Sequence, residues 1–201
     1  MVKHSKITKV FQLSLVIIFI LVLLGLFVPQ QFQNISFYLK NLLTTSVGWF
    51  YLLLVTGILI FCVFLIVSPI GQIRLGNPTS RPEHSTTSWI AMMFSAGMGI
   101  GLVFYGAAEP LSHFAISTPN AEIGSADALA DAFRFTFFHW GFHAWAVYAL
   151  VGLSLAYFGF RKREKYQLSV VFKPLFGKYA DGPIATIIDT ITIIATVIGV
   201  A

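Results

Sequence analysis

At 201 residues, 57% hydrophobic and 10% charged, with a mean hydropathy of +0.81, the chain is not an ordinary soluble domain, in which about a quarter of residues carry charge. The net charge of +5 is not a nucleic-acid footprint either, since no polar segment combines a basic stripe with interleaved aromatics. The composition is that of an integral membrane protein; the single cysteine, Cys62, excludes an internal disulfide and reads as a small buried hydrophobe.

The pattern predicts an all-α chain with five spans. The first, Val10–Val28, follows Lys3, Lys6 and Lys9. It is longer than a signal-peptide core and no cleavage site follows, so it reads as a retained helix that Pro29 ends. A loop carrying only Lys40 leads to a second span, Val47–Val67, which Ser68-Pro69-Ile70-Gly71 closes. A polar loop, Gln72–Ser88, precedes the third span, Trp89–Ala107, which Glu109-Pro110 ends. After a loop with Glu122, Asp127 and Asp131, Ser125 is placed to cap a helix running into the fourth span, Phe138–Phe160. The cluster Arg161–Lys165 stops it. The fifth span, 184–201, follows Gly182-Pro183 and barely reaches the ~20 residues a crossing needs. With no polar tail after it, the expectation is a fragment or truncated product. With the N-terminus inside, only Lys40 and Arg134 of the 13 basic residues fall outside, which predicts a cytoplasmic N-terminus.

Three constellations carry possible chemistry. In the third span, Gly97, Gly99 and Gly101 fall within five residues. Each costs a helix interior about 1 kcal/mol relative to alanine. Gly97 and Gly101 share a face and Gly99 lies nearly opposite; close helix packing needs only the first pair. The stretch reads either as a packing face or as a helix built to open. An opened helix is tolerated in a bilayer only where it lines a cavity, with carbonyls toward a cation or N–H groups toward a carboxylate.

In the fourth span, Trp140, Trp145 and Tyr148 fall on one arc of an unbroken helix, rising about 12 Å. They read either as part of a cage for a quaternary ammonium group or as an interfacial aromatic belt. His139 and His143 share a face, but no third metal ligand lies nearby. In the fifth span, Asp189, Thr192 and Thr196 form one polar stripe. It reads as an ion site, or as a hydrated or paired aspartate beside threonines that bond their own backbone. Val200 continues the stripe without an oxygen. No nucleophile elbow, phosphate loop, dinucleotide fingerprint or C-x-x-C pair occurs, so an enzyme is not expected.

The run Met93-Phe94-Ser95-Ala96-Gly97-Met98-Gly99-Ile100-Gly101-Leu102-Val103-Phe104-Tyr105-Gly106-Ala107-Ala108-Glu109-Pro110 resembles the signature of the betaine/choline/carnitine transporters, the BCCT family. The His139–Tyr148 block resembles that family's fourth helix, and Ile187–Thr196 the start of its fifth. The resemblance covers every hydrophobic span in order.

It implies a LeuT-like fold of twelve helices with two inverted five-helix repeats, often assembled as a homotrimer. This chain would hold helices one to four and most of five. The second repeat, with the tryptophan-rich eighth helix that completes the aromatic cage, would be missing. By resemblance, Trp140, Trp145 and Tyr148 help enclose a trimethylammonium group. Gly97, Met98, Gly99, Ile100 and Gly101 form the unwound stretch. Ser95 and Met98 offer backbone to one sodium site and Thr196 a hydroxyl to a second, where some members have another threonine at the position of Val200. Proton-coupled members tend to carry aspartate where this chain has Gly101, which favours sodium. The implied function is sodium-coupled import of glycine betaine for osmoprotection across the cell membrane, with sodium as coupling ion, no other cofactor and no nucleic-acid partner. The alternatives are a proton-coupled or exchange-type choline or carnitine carrier, and a small non-transporting membrane subunit.

Overall fold

The computed structural model describes the backbone of residues 8–97, 99–116, 118 and 121–200, and their side chains except at 96, 97, 100–102, 178 and 200. Among the described residues all regular structure is helical. The chain divides into two compact units, one of Met1–Tyr51 with Gly152–Ala201 and the other Leu52–Val151.

Helix α1, Lys9–Phe27, opens on Thr8, whose hydroxyl accepts the Phe11 N–H at 3.2 Å. Pro29 does end α1, but the loop expected after it is absent. Pro29 instead starts α2, Pro29–Val67, a helix of 39 residues. Proline is well suited to a first helical turn, where its missing N–H would have no partner. The polar residues that suggested a loop are accommodated within the helix. Ser36, Thr44 and Thr45 donate their hydroxyls to Phe32, Lys40 and Asn41 carbonyls one turn back, and Gln30 bonds Asn34.

In the second unit, α3 (Thr86–Gly97) and α4 (Ile100–Ala115) are separate helices. Between them Gly99 is extended, with φ −60° and ψ −160°. Contrary to expectation, Glu109-Pro110 does not end α4; Pro110 sits inside it and the helix runs on to Ala115. Proline removes one backbone bond from this turn; its neighbour Glu109 ties the same turn to α5, as given below. Helix α5, Ala126–Trp140, starts where Ser125 accepts the Ala128 N–H at 3.1 Å. It packs on α4. Its buried face includes Ala128 and Ala132, both fully covered, small enough for close helix approach. The fourth span is not one helix: α5 stops at Trp140, Gly141 is extended, and α6 covers Phe142–Ala156.

In the first unit, a π-helical turn, Tyr157–Arg161, follows α6, and Arg163 takes a left-handed φ of 57°. Two short helices, α7 (Leu168–Val171) and α8 (Lys173–Phe176), and a 3-10 turn lead to α9, Pro183–Val200. Helix α9 packs against α1 and α7. Lys173 bonds Glu164 at 3.1 Å and Asp181 at 3.3 Å, and these two carboxylates raise its pKa above the usual lysine value.

No large side chain is fully buried among the described residues, and most large apolar ones are exposed. Among the described residues three stretches, Lys9–Phe27, Pro29–Val67 and Ala126–Arg161, are long and apolar enough to cross a membrane. Such a surface suits hydrocarbon rather than water.

Candidate functional site

The polar centre of the second unit is Glu109 on α4. Its side chain is 12% exposed. The Trp140 indole N–H donates to Oε2 at 2.6 Å. His139 Nδ1 lies 2.9 Å from Oε1 and 3.0 Å from Oε2, and His113 Nε2 lies 3.5 Å from Oε1. The Trp140 ring stacks on Tyr105 of α4, with centroids 6.0 Å apart and planes at 25°. One carboxylate thus fastens the last turn of α5 to α4.

The break at Gly141 sets the neighbouring rings. A Cβ on Gly141 would collide with the Phe137 carbonyl oxygen, so only glycine fits this geometry. In a continuous helix the Trp140 carbonyl would accept the N–H of residue 144. Here it accepts the Trp145 indole N–H at 3.0 Å instead. Trp145 and Tyr148 touch as rings, 5.8 Å between centroids. The arc expected of Trp140, Trp145 and Tyr148 assumed an unbroken helix and does not describe the structure. Trp140 belongs to α5 and packs on Tyr105, whereas Trp145 and Tyr148 form a pair on α6. His139 and His143 also part company. The first meets Glu109; the second lies 4.8 Å from the Phe138 ring centre and 3.5 Å from the Thr56 hydroxyl. Cys62 is half-buried against the Ala146 carbonyl, its Sγ 3.7 Å away.

Of the glycine stretch, Gly97 ends α3, Gly99 is the extended residue and Ile100-Gly101 opens α4; Met98 lies outside the described residues. Ser95 is in the last turn of α3, where backbone carbonyls lose their in-helix partners. Its hydroxyl is engaged with the Ala91 carbonyl at 2.8 Å.

In the first unit, Asp189 is 8% exposed and accepts the Ser169 N–H at 3.0 Å and the Ser169 hydroxyl at 2.9 Å. These two bonds anchor α7 to α9. Thr192 and Thr196 donate to the carbonyls of Ile188 and Thr192, both at 2.8 Å. Each hydroxyl oxygen keeps lone pairs for a cation.

The sequence model of the BCCT, betaine/carnitine/choline family transporter matches residues 9–201. The chain belongs to the BCCT family. It is 51% identical over its whole length to the glycine betaine transporter OpuD of Bacillus subtilis, covering 39% of that protein. It is 43% identical to a probable glycine betaine transporter of Desulfitobacterium hafniense, with 98% of this chain and 40% of that protein covered. It is 42% identical to an ectoine/hydroxyectoine transporter of Virgibacillus pantothenticus, with 96% and 38% covered. The chain therefore spans about two fifths of the length of these BCCT relatives. The family is one of transporters, not enzymes.

Sequence reasoning passed over three residues of this BCCT chain. In the sequence Glu109 reads only as a helix stop, although a carboxylate beside an apolar span calls for donors. Tyr105 was one ring among many. Gly141 gave no signal, because a lone glycine is common in membrane helices.

Proposed function

We propose that the full-length protein is a secondary transporter that imports glycine betaine, or a similar zwitterionic quaternary-ammonium osmolyte, in symport with sodium. The observation that carries this reading is the helix interruption at Gly99. At such a break, the carbonyl end of α3 suits a hard cation and the N–H end of α4 suits a carboxylate. Glycine betaine has a carboxylate and a methylated ammonium, and the latter suits aromatic faces, each worth about 0.5–2 kcal/mol. Trp140, Trp145 and Tyr148 are the rings assigned to it, with Gly97, Gly99 and Gly101 giving the substrate backbone access. Ser95 and Met98 are assigned to one sodium ion and Thr196 to a second. The relatives' names support the substrate class. The protein works in the cell membrane, N-terminus inside, as a homotrimer with a LeuT-like pair of repeats, and serves osmoprotection.

Trp145→Ala in the full-length protein raises the apparent KM for betaine about tenfold; unchanged uptake removes the aromatic role. Val200 favours a second reading, since it supplies no oxygen to the second ion site: a carrier of choline or carnitine driven by protons or by exchange. Uptake into vesicles with sodium replaced by potassium separates the two. Symport predicts near-complete loss, and full uptake in potassium supports the second reading.

A further inference from the structure

We propose that Glu109 is a positioning residue for substrate, holding the Trp140 ring in the orientation in which it meets the methylated ammonium. This deepens the reading above and rests on Trp140 being a wall of the substrate site.

A ring attracts a cation only through its face. An indole free to rotate must therefore be immobilised when substrate binds, at a cost in affinity. Two contacts remove that freedom beforehand. Stacking on Tyr105, 6.0 Å between centroids and 25° between planes, sets the ring plane. The 2.6 Å bond from the indole N–H to Glu109 Oε2 sets its rotation within that plane. The indole has one N–H and no acceptor, so a single carboxylate oxygen decides which edge points where. A charged acceptor makes this bond short and strong. His139 at 2.9 Å and His113 at 3.5 Å are the titratable groups facing the same carboxylate. They fix the carboxylate in turn, so the Trp140 edge is held by a group that is itself held. Glu109 and Tyr105 are both on α4, four residues apart on one face, and Trp140 is on α5.

The test is a double-mutant cycle on betaine uptake by the full-length transporter, with membrane abundance measured for every variant. Glu109→Ala raises the apparent KM about tenfold while Vmax per transporter stays within about twofold. Glu109→Gln, which keeps an acceptor oxygen, restores most of the affinity. In a Trp140→Phe background, which has no N–H to hold, Glu109→Ala adds nothing. If Glu109→Ala does not reach the membrane, Glu109→Asp is read in the same cycle; its carboxylate is pulled back by one methylene and raises KM only when Trp140 is present. An unchanged KM, or an equal rise in both backgrounds, overturns the proposal and leaves Glu109 a clamp between helices. If Trp140→Ala itself leaves KM unchanged, the failure lies with the aromatic site and not with Glu109.

Discussion

Asp189 illustrates what a residue type alone conveys. An ionisable group in an apolar span was legible as a special position, but its partner was not. Ser169 lies twenty residues earlier, and only the fold brings it to the carboxylate. Because both bonds are buried, Asp189→Asn is expected to destabilise the chain by about 1.5–3 kcal/mol and Ser169→Ala by about 1 kcal/mol, read by thermal unfolding in detergent. Equal stability of both variants with the parent would remove the anchor role. Lys173 makes a pH-dependent contribution of known sign. Its pKa is raised in the folded state by Glu164 first and Asp181 second. Its stabilisation is therefore fully present below the ordinary lysine value of 10.5 and is lost as pH rises through the higher folded value. The stability difference between parent and Lys173→Met is expected to be flat through neutral pH and to vanish only in strong alkali.

Helices were easier to read than their ends. Three glycines in five residues marked a weak point, since their combined cost to a helix exceeds what packing requires, but left a packing face and a break both open; the structure has the break, at Gly99. The break at Gly141 leaves a different mark, a Phe137 carbonyl so close that no Cβ fits, and no periodicity encodes it. Once it exists, the helical phase is reset and angles counted from Trp140 no longer apply to Trp145. Proline was read correctly at one end and wrongly at another: Pro29 ends α1 as expected, though no loop follows it, whereas Pro110 does not end α4. Pro29 also begins the next helix, and Pro110 sits within α4 beside Glu109, whose carboxylate is tied to α5. The two glycine breaks are expected to respond differently to alanine. At Gly99, the residue that caps α4, an added Cβ meets among the described residues the Ser95 carbonyl oxygen at 3.6 Å, an ordinary contact, so the loss stays near the ~1 kcal/mol of placing alanine at a helix cap. At Gly141 the collision forces rearrangement, with an expected loss of about 1–3 kcal/mol. It also returns the Trp140 carbonyl toward the N–H of residue 144 and frees the Trp145 indole, which a shift in tryptophan emission reports. An unshifted spectrum in Gly141→Ala would contradict the link between the break and the indole bond.

For the whole molecule, composition and hydropathy were enough to read a membrane protein, and the glycine and aromatic motifs were enough to read the family. Orientation is testable directly. Reporters fused after Lys40 and after Lys165 are expected to report opposite sides of the membrane, the latter cytoplasmic; Lys40 inside with Lys165 outside would reverse the topology, and the same side for both would contradict the number of crossings between them.

Helix α2 has a consequence of its own. Its 39 residues make a rod of about 58 Å, nearly twice the ~30 Å of hydrocarbon a bilayer offers. A rod that overshoots its medium either leans or leaves one end in water, and the amide-rich Gln30–Asn41 end is the one fitted to stay wet. How far it protrudes then depends on lipid chain length. Deuterium uptake at Lys40–Thr45 should rise in short-chain lipids and fall in long-chain ones, making this rod a gauge of the thickness of the membrane around it.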